Sequence, residues 1–204
     1  MNQSLSFKID LTSRIKTGEG LKIELGCGPA KKNGYIGIDN VDLVGVDIVA
    51  NLENGLPFLP DNSVDSVYTS HFLEHVNNFE KLMAECFRVL KRGGRMDVVV
   101  PHFSNPYFYS DYTHRRFFGL YTFHYFSEQK HQLERKVPTF YTDIRFRVLS
   151  QYLGFFSPFQ KRNKWKKRIG KIFNRNSYWQ ELYEENFCYI FPCYELRAIL
   201  TPEK

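Results

Sequence analysis

The sequence predicts an α/β protein built on an open, mostly parallel sheet, and three observations carry that prediction. Short apolar runs rich in β-branched residues recur through the first hundred positions. The first of them ends in a glycine-rich turn. A helix with a 3.6-residue apolar period precedes the fifth. Hydrophobic residues make up 43% of the 204, enough to fill one sizeable core, so a single domain over 1–204 is expected.

The elements follow in chain order. After an N-terminal segment (1–20), LKIEL (21–25) reads as a buried strand that feeds the turn GCGPAKKNG. YIGID (35–39) is a second strand, ending on an acid, and GVDIVANL (45–52) a third. DSVYTS (65–70) and GGRMDVVVP (93–101) are the fourth and fifth. Between those two, Phe79, Leu82, Met83, Cys86, Phe87 and Leu90 recur at helical spacing, and Gly93-Gly94 supplies a stop signal. FRVLSQYLGFF (146–156) and ELRAILTPE (195–203) complete a seven-stranded sheet. The aromatic-rich stretches 106–145 and 157–190 are expected to form cap inserts on the acceptor side of a 21–105 core.

Charge and cysteine usage narrow the class. Residues 155–176 hold eight Lys/Arg and no acid, so the rest of the chain carries 20 basic against 22 acidic residues. The net charge of +6 therefore belongs to one segment. Cys27, Cys86, Cys188 and Cys193 show no CxxC spacing and are expected as free thiols in a reducing compartment. No apolar run approaches a membrane span or a signal peptide, so a cytoplasmic location is expected.

In open parallel sheets, ligands bind beyond the carboxyl ends of the strands, where strand order reverses. Glu24-Leu25-Gly26-Cys27-Gly28-Pro29 sits at the first such end, and its glycines let the backbone approach a ligand closely. Asp39 ends the second strand, placed to accept from ribose hydroxyls. A phosphate-binding loop would need Gly-Lys-Ser/Thr, which is absent. A dinucleotide loop would need a third glycine where Lys31 stands and room for a helix before Asp39. Acids on both sides of the loop suit a positively charged cofactor without phosphates, such as S-adenosylmethionine.

ELGCGPAKKNGYIGID, NLENGLPFLPDNSVDSVYTSHFLEHV and EKLMAECFRVLKRGGRMDVVVP occur in that order and together resemble the class I S-adenosylmethionine-dependent methyltransferases over about residues 20–105. The resemblance implies a Rossmann-like fold and S-adenosylmethionine as cofactor. Glu24, Gly26, Cys27 and Gly28 would line its methionine and ribose portion, Asp39 would bind the ribose, and Asn51 and Leu52 would contact adenine. Many relatives carry Asp where Asn51 stands, and Pro29-Ala30 replaces the family's third loop glycine. Ser70 and His71 would lie beside the sulfonium.

SHFLEH (70–75) also fits H-x-x-E-H, an inverted zinc-peptidase pattern through His71, Glu74 and His75. That reading needs one long helix, whereas DSVYTS before it is strand-like and Asn77-Asn78 breaks the pattern after it. The segment is instead expected to wall the cofactor pocket, with Leu73 packed inward and Glu74 and His75 hydrogen-bonded near the strand ends. No metal is expected.

Methyl transfer to a hydroxyl needs an aligned acceptor and a proton acceptor. His71, His102, Asp111 and His114 are the candidates; the last two stand in DYTHRRF (111–117), which resembles a D-P-T-H-R-R-F stretch of a polysaccharide-pathway branch, with Tyr112 in the proline's place. Arg115-Arg116 could hold an anionic acceptor, or pair with Asp111 structurally. The resemblance suggests O-methylation of a sugar hydroxyl on a glycan or lipid-linked saccharide. Another small molecule or RNA as acceptor, and a non-catalytic binding module, stand as alternatives; no Asn-Pro-Pro-Tyr type motif follows the fourth strand, and the basic footprint is small for a nucleic acid. Oligomeric state is not legible.

Last, KRNKWKKRIGKIFNRNSYW (161–179) places Trp165, Ile169, Ile172 and Phe173 on one helical face among six basic residues. Such a helix suits an anionic membrane surface, or serves as a cap helix with its lysines solvated. Gly170 in its middle weakens it.

Overall fold

The computed structural model describes residues 5–17 and 20–204, which build an eight-stranded sheet. Its strands are β1 (Ser6–Phe7), β2 (Lys22–Leu25), β3 (Ile36–Asp39), β4 (Ile48–Val49), β5 (Val64–Ser70), β6 (Leu90–Pro101), β7 (Phe146–Gly154) and β8 (Glu195–Pro202), in the spatial order β1-β4-β3-β2-β5-β6-β8-β7. Strands β2 to β6 run parallel, β8 lies antiparallel between β6 and β7, and β1 caps the β4 edge antiparallel. The chain leaves β2 for β3 and β4 on one side, then returns to β5 on the other. The reversal therefore falls between the carboxyl ends of β2 and β5.

All seven expected strands are present, with two adjustments and one addition. The third shrinks from 45–52 to Ile48–Val49. The fifth begins at Leu90: α2 (Phe79–Val89) ends there without a glycine stop, and Gly93 (φ +74°) lies in the stretch where the pairing with β5 shifts register. The added strand, β1, is two residues long and carries no periodicity to read. Helix α1 (Leu11–Thr17) precedes β2 and buries only Leu11.

The crossovers on the β2–β4 side are lean. Among the described residues, the links from β2 to β3 and from β3 to β4 hold no helix, and β4 reaches β5 through a single 3-10 turn, Leu52–Asn54. The consequence is a sheet with one dry face and one wet face. Val67, Thr69, Met96, Val98, Val100, Ala198 and Leu200 are buried in the core with α2. Their strand neighbours Tyr68, Ser70, Asp97, Val99 and Ile199 are half-buried, and Arg95 and Arg197 are exposed. The residues follow suit, since two-sided burial would require continuous apolar runs and these strands alternate instead.

After β6 the chain runs through short 3-10 turns, and Phe118, Leu120, Phe123 and Phe126 from this stretch join the same core cluster as the sheet. Between β7 and β8 stand α3 (Asn163–Phe173) and α4 (Ser177–Asn186). The expected apolar face of α3 is rotated. Phe173 and Gly170 are buried and Ile169 packs against the core, while Trp165 is 46% and Ile172 39% exposed. A Cβ at Gly170 would lie 3.4 Å from the Phe155 ring, an ordinary contact, so the glycine does not set the rotation; the Asn174 amide accepts from Leu153 N and donates to Leu153 O, which ties the end of α3 to β7. No helix among the described residues is long and apolar enough to cross a membrane.

One polar network ties α2 to the loop before β5. Glu85 accepts from Leu56 N (2.7 Å), and Arg88 donates to the carbonyls of Leu56 and Leu59, to Asp61 and to Glu85. Arg88 first, then the Leu56 amide, hold the Glu85 carboxyl below its ordinary 4.5, against desolvation. A depressed carboxyl contributes stability that is present above its unfolded pKa and lost as pH falls through the folded value. Arg88→Ala should lower unfolding free energy by about 2 kcal/mol at neutral pH. In thermal melts, the gap between variant and parent should narrow as pH drops below 4.5; a gap that stays constant would rule out the linkage.

Candidate active site

The carboxyl ends of β2 and β5 meet at one contact. Gly26 has φ +65°, and a Cβ on it would fall 2.3 Å from the Phe72 ring, so only glycine satisfies both the backbone and the neighbour. Gly26 N and Cys27 N both donate to Ile38 O, which holds the loop against β3. Gly28 (φ +54°) donates its N–H to Asp39 Oδ2 at 2.9 Å, and Val41 N donates to Asp39 Oδ1 at 3.0 Å. The acid at the end of β3 is thereby fixed against the glycine loop.

A cavity of about 390 Å³ opens here, lined by Glu24, Gly26, Cys27, Lys32, Tyr68 and Ser70 among others. The Glu24 carboxyl is buried and accepts from Lys32 N; desolvation pushes its pKa up against that bond. Burial, then Asp39 and Glu24, push the Cys27 thiol up to about 12, so it lines the site as a small apolar group and not as a nucleophile. Lys32 Nζ lies 4.0 Å from the centre of the Tyr68 ring and closes one side. A second cavity of about 430 Å³ shares Lys32, Tyr68 and Ser70 with the first and continues along the wet sheet face past Arg95, Asp97, Glu195 and Arg197. A third cavity, about 730 Å³ and lined by Phe103, Tyr121, Glu181 and Glu184 among others, shares no residue with either.

Two of the expected cofactor residues are placed differently from the rest. Asn51 caps the 3-10 turn, its side-chain oxygen accepting from Glu53 N, and the Leu52 side chain is buried in the core. Any contact from Leu52 to a ligand would come from its backbone.

The four candidate proton acceptors do not converge. His71 follows Ser70 in the left-handed region (φ +51°), with Nε2 3.5 Å from Glu195 Oε2 and Nδ1 3.5 Å from Glu74 Oε1. The Glu195 carboxylate, then that of Glu74, push its pKa up to about 9. His102 is fully buried. Ser104 N donates to its Nδ1 at 3.1 Å, so the ring proton sits on Nε2, 3.2 Å from Glu184 Oε1. Both nitrogens are spent inside the protein. Asp111 and His114 belong to a strap laid over the turn after β5: Arg115 N donates to Glu74 O, Arg116 Nε donates to Val76 O, and Thr113 Oγ1 meets His75 Nδ1 at 2.9 Å. Arg116 is thus tied to carbonyls and stacked on Phe79, while Arg115 is exposed.

SHFLEH forms no long helix. Only Leu73–His75 makes a 3-10 turn, so His71 and His75 do not share a helical face. Leu73 packs inward as expected. The expected hydrogen bonds of Glu74 are not made: both carboxylate oxygens are buried without a partner. Glu195, from the strand that closes the sheet, has no local motif that could have announced it beside His71. All four cysteines are free and buried.

Residues 30–98, which span β3 to most of β6, match the methyltransferase domain family. A ubiquinone/menaquinone biosynthesis C-methyltransferase of Cronobacter sakazakii is 38% identical over 104 residues, covering 48% of this chain and 40% of that protein. The chain thus spans well under two thirds of the length of the curated relatives it matches. Among solved structures, a possible histamine N-methyltransferase of Thermotoga maritima superposes with a TM-score of 0.51 at 18% identity, covering 91% of this chain and 83% of that one. A phosphoethanolamine N-methyltransferase of Haemonchus contortus, solved with S-adenosylhomocysteine, superposes at 0.50 and 14% identity, covering 90% and 49%. The chain has the fold of the class I S-adenosylmethionine-dependent methyltransferases.

Proposed function

We propose that this chain binds S-adenosylmethionine at the β2–β5 switch point and transfers its methyl group to a hydroxyl of a polar, saccharide-class acceptor. One observation carries the cofactor half: a glycine loop clamped to Asp39, with the buried Glu24 carboxyl on its other side, in a cavity at the strand-order reversal. Two acids and no phosphate-binding helix suit a sulfonium and a ribose. The acceptor half is supported by the adjoining groove, which sets five charged side chains, Lys32, Arg95, Asp97, Glu195 and Arg197, beside Tyr68, Ser70 and apolar strand residues. Charged groups beside an apolar floor suit a hydroxyl-rich ring, whose edges donate and accept hydrogen bonds.

A second reading has its own support. The segment most similar to known proteins matches quinone C-methyltransferases, so a quinol ring carbon is the competing acceptor. Labelled methyl transferred from the cofactor to a cell extract, then separated into glycan, isoprenoid-lipid, protein and RNA fractions, distinguishes them. Label in the glycan fraction is expected. Label confined to isoprenoid lipid would replace the saccharide reading with the quinol one.

Cofactor binding itself is read by calorimetry with S-adenosylhomocysteine. Asp39→Ala should weaken it by about tenfold, the worth of a charge-assisted hydrogen bond. Gly26→Ala should abolish it, because the added methyl lands on the Phe72 ring. Wild-type affinity in both variants would place the cofactor elsewhere.

Helix α3 supports peripheral contact with an anionic membrane, where a lipid-linked acceptor would lie. Trp165 and Ile172 are exposed, and Lys164, Lys167, Arg168 and Lys171 are exposed around them. Co-flotation with vesicles of about 30% anionic lipid is expected at low salt, and reversal of Lys167 and Lys171 to Glu should abolish it. Equal flotation of parent and variant would remove α3 from the contact.

A further inference from the structure

The turn after β5 holds a buried carboxylate that makes no hydrogen bond and has only loose ion-pair neighbours. Glu74 has no solvent exposure, and neither of its carboxylate oxygens has a hydrogen-bond partner. The nearest cationic or neutral nitrogens stand off at 3.5 Å (His71 Nδ1) and 3.9 Å (His75 Nε2), both from Oε1. An ionised carboxylate in such a place is costly unless something of opposite charge binds it directly.

Two histidines face it, and their hydrogen bonds fix which nitrogen each offers. The Thr113 hydroxyl donates its one proton to Asp111 Oδ1, so towards His75 Nδ1, 2.9 Å away, it can only accept. His75 therefore carries its ring proton on Nδ1 and, when neutral, a lone pair on Nε2, the atom facing Glu74. His114 Nδ1 lies 2.9 Å from Phe108 O, a carbonyl that can only accept, so its lone pair is on Nε2 as well. The two rings stand 4.9 Å apart, and one ligand atom from each of Glu74, His75 and His114 lies within 4.8 Å of the others. Asp111 Oδ2 is the remaining charged neighbour, 3.5 Å from His114 Nε2.

We propose that Glu74, His75 and His114 form a binding site for one divalent transition-metal ion of the zinc class. Two imidazole nitrogens and one carboxylate oxygen are the donor set of such ions; magnesium and calcium prefer oxygen alone. Tetrahedral bonds of about 2.0–2.1 Å need donor atoms roughly 3.3 Å apart, so the side chains close in by about an ångström or so on binding. Carbonyl–histidine and carboxylate–hydroxyl–histidine chains behind the ligands are the usual means of orienting metal-bound imidazoles, and both are present. The ion supplies the direct bond that the Glu74 oxygens lack. It also fastens the DYTHRR strap to the end of β5, next to His71, and leaves a fourth position for water or an acceptor oxygen.

The test reads metal and not turnover, so its outcome is independent of the acceptor and cofactor assignments. Tag-free full-length chain is loaded with ZnCl₂, dialysed and analysed by mass spectrometry for zinc, with affinity from competition against a chromophoric chelator and Co²⁺ substitution reporting a four-coordinate nitrogen/oxygen set. One ion per chain is expected, together with a rise in melting temperature on adding zinc. His114→Ala should lose the ion and the rise. Thr113→Val keeps all three ligands and should weaken affinity by about 10- to 100-fold; it serves where His114→Ala fails to fold. Glu128, His131 and Glu203 form a second acidic–histidine group, so His131→Ala is the control. Loss of zinc on His131→Ala but not on His114→Ala would overturn the proposal, as would no retained zinc in the parent chain, or unchanged affinity in Thr113→Val.

Discussion

The ligand end of this protein depends on the Phe72 ring lying where a Gly26 side chain would be. For Phe72 to reach that position, the chain must turn sharply off the end of β5, and His71 takes the strain with its left-handed backbone. That turn sends Leu73 into the core and carries Glu74 under the surface with it. The same contact forbids a side chain on the glycine loop, which keeps the loop backbone open to the cavity and lets Gly28 reach Asp39. Glycine loop, cavity wall and buried carboxylate are therefore one mechanical unit. A change in any of them is felt by the others.

The lean crossovers set what surrounds that unit. With no helix between β2 and β3 among the described residues, the sheet face bearing Tyr68, Ser70, Asp97 and Arg197 stays partly open, and the small cavity at the strand ends runs on into a groove. A covered face would have demanded apolar residues on both sides of β5 and β6, and would have closed the cavity on this side. Instead Lys32 lies over Tyr68 and provides what enclosure there is. The cavity at the strand ends consequently shares its rim with the groove.

How much of this was legible in the sequence follows from the range of the interactions. Strands and the α2 face depend on neighbours two to four residues away, and the seven expected strands lie where the β-branched runs placed them. β1 was not legible because two residues make no period. The α3 face was misread because what orients the helix, Phe173 in the core and the Asn174 amide on the Leu153 backbone, pairs α3 with β7 and leaves no mark in the local apolar pattern. Within the site, the loop and Asp39 were readable from spacing, since an acid that ends the next strand must lie beside the glycine turn. Glu195 beside His71, and the strap across Glu74 and His75, were not readable, because each pairs segments with no local pattern in common.

The H-x-x-E-H pattern shows the limit from the other side. Its spacing carries meaning only if five residues form a helical turn and a half, which would put both histidines on one face. Here the backbone is left-handed at the first histidine and 3-10 only from Leu73, so that face does not exist. The pattern nevertheless brings a glutamate and a histidine to a strand end where burial strips the carboxylate of water. What completes the arrangement is DYTHRR, a segment whose residues divide the work: Thr113 and Asp111 fix the His75 ring, Arg115 and Arg116 bind the backbone beneath, and His114 enters beside that same ring. A basic pair that reads as an anion site in sequence is, in the fold, partly the fastening that brings His114 to Glu74.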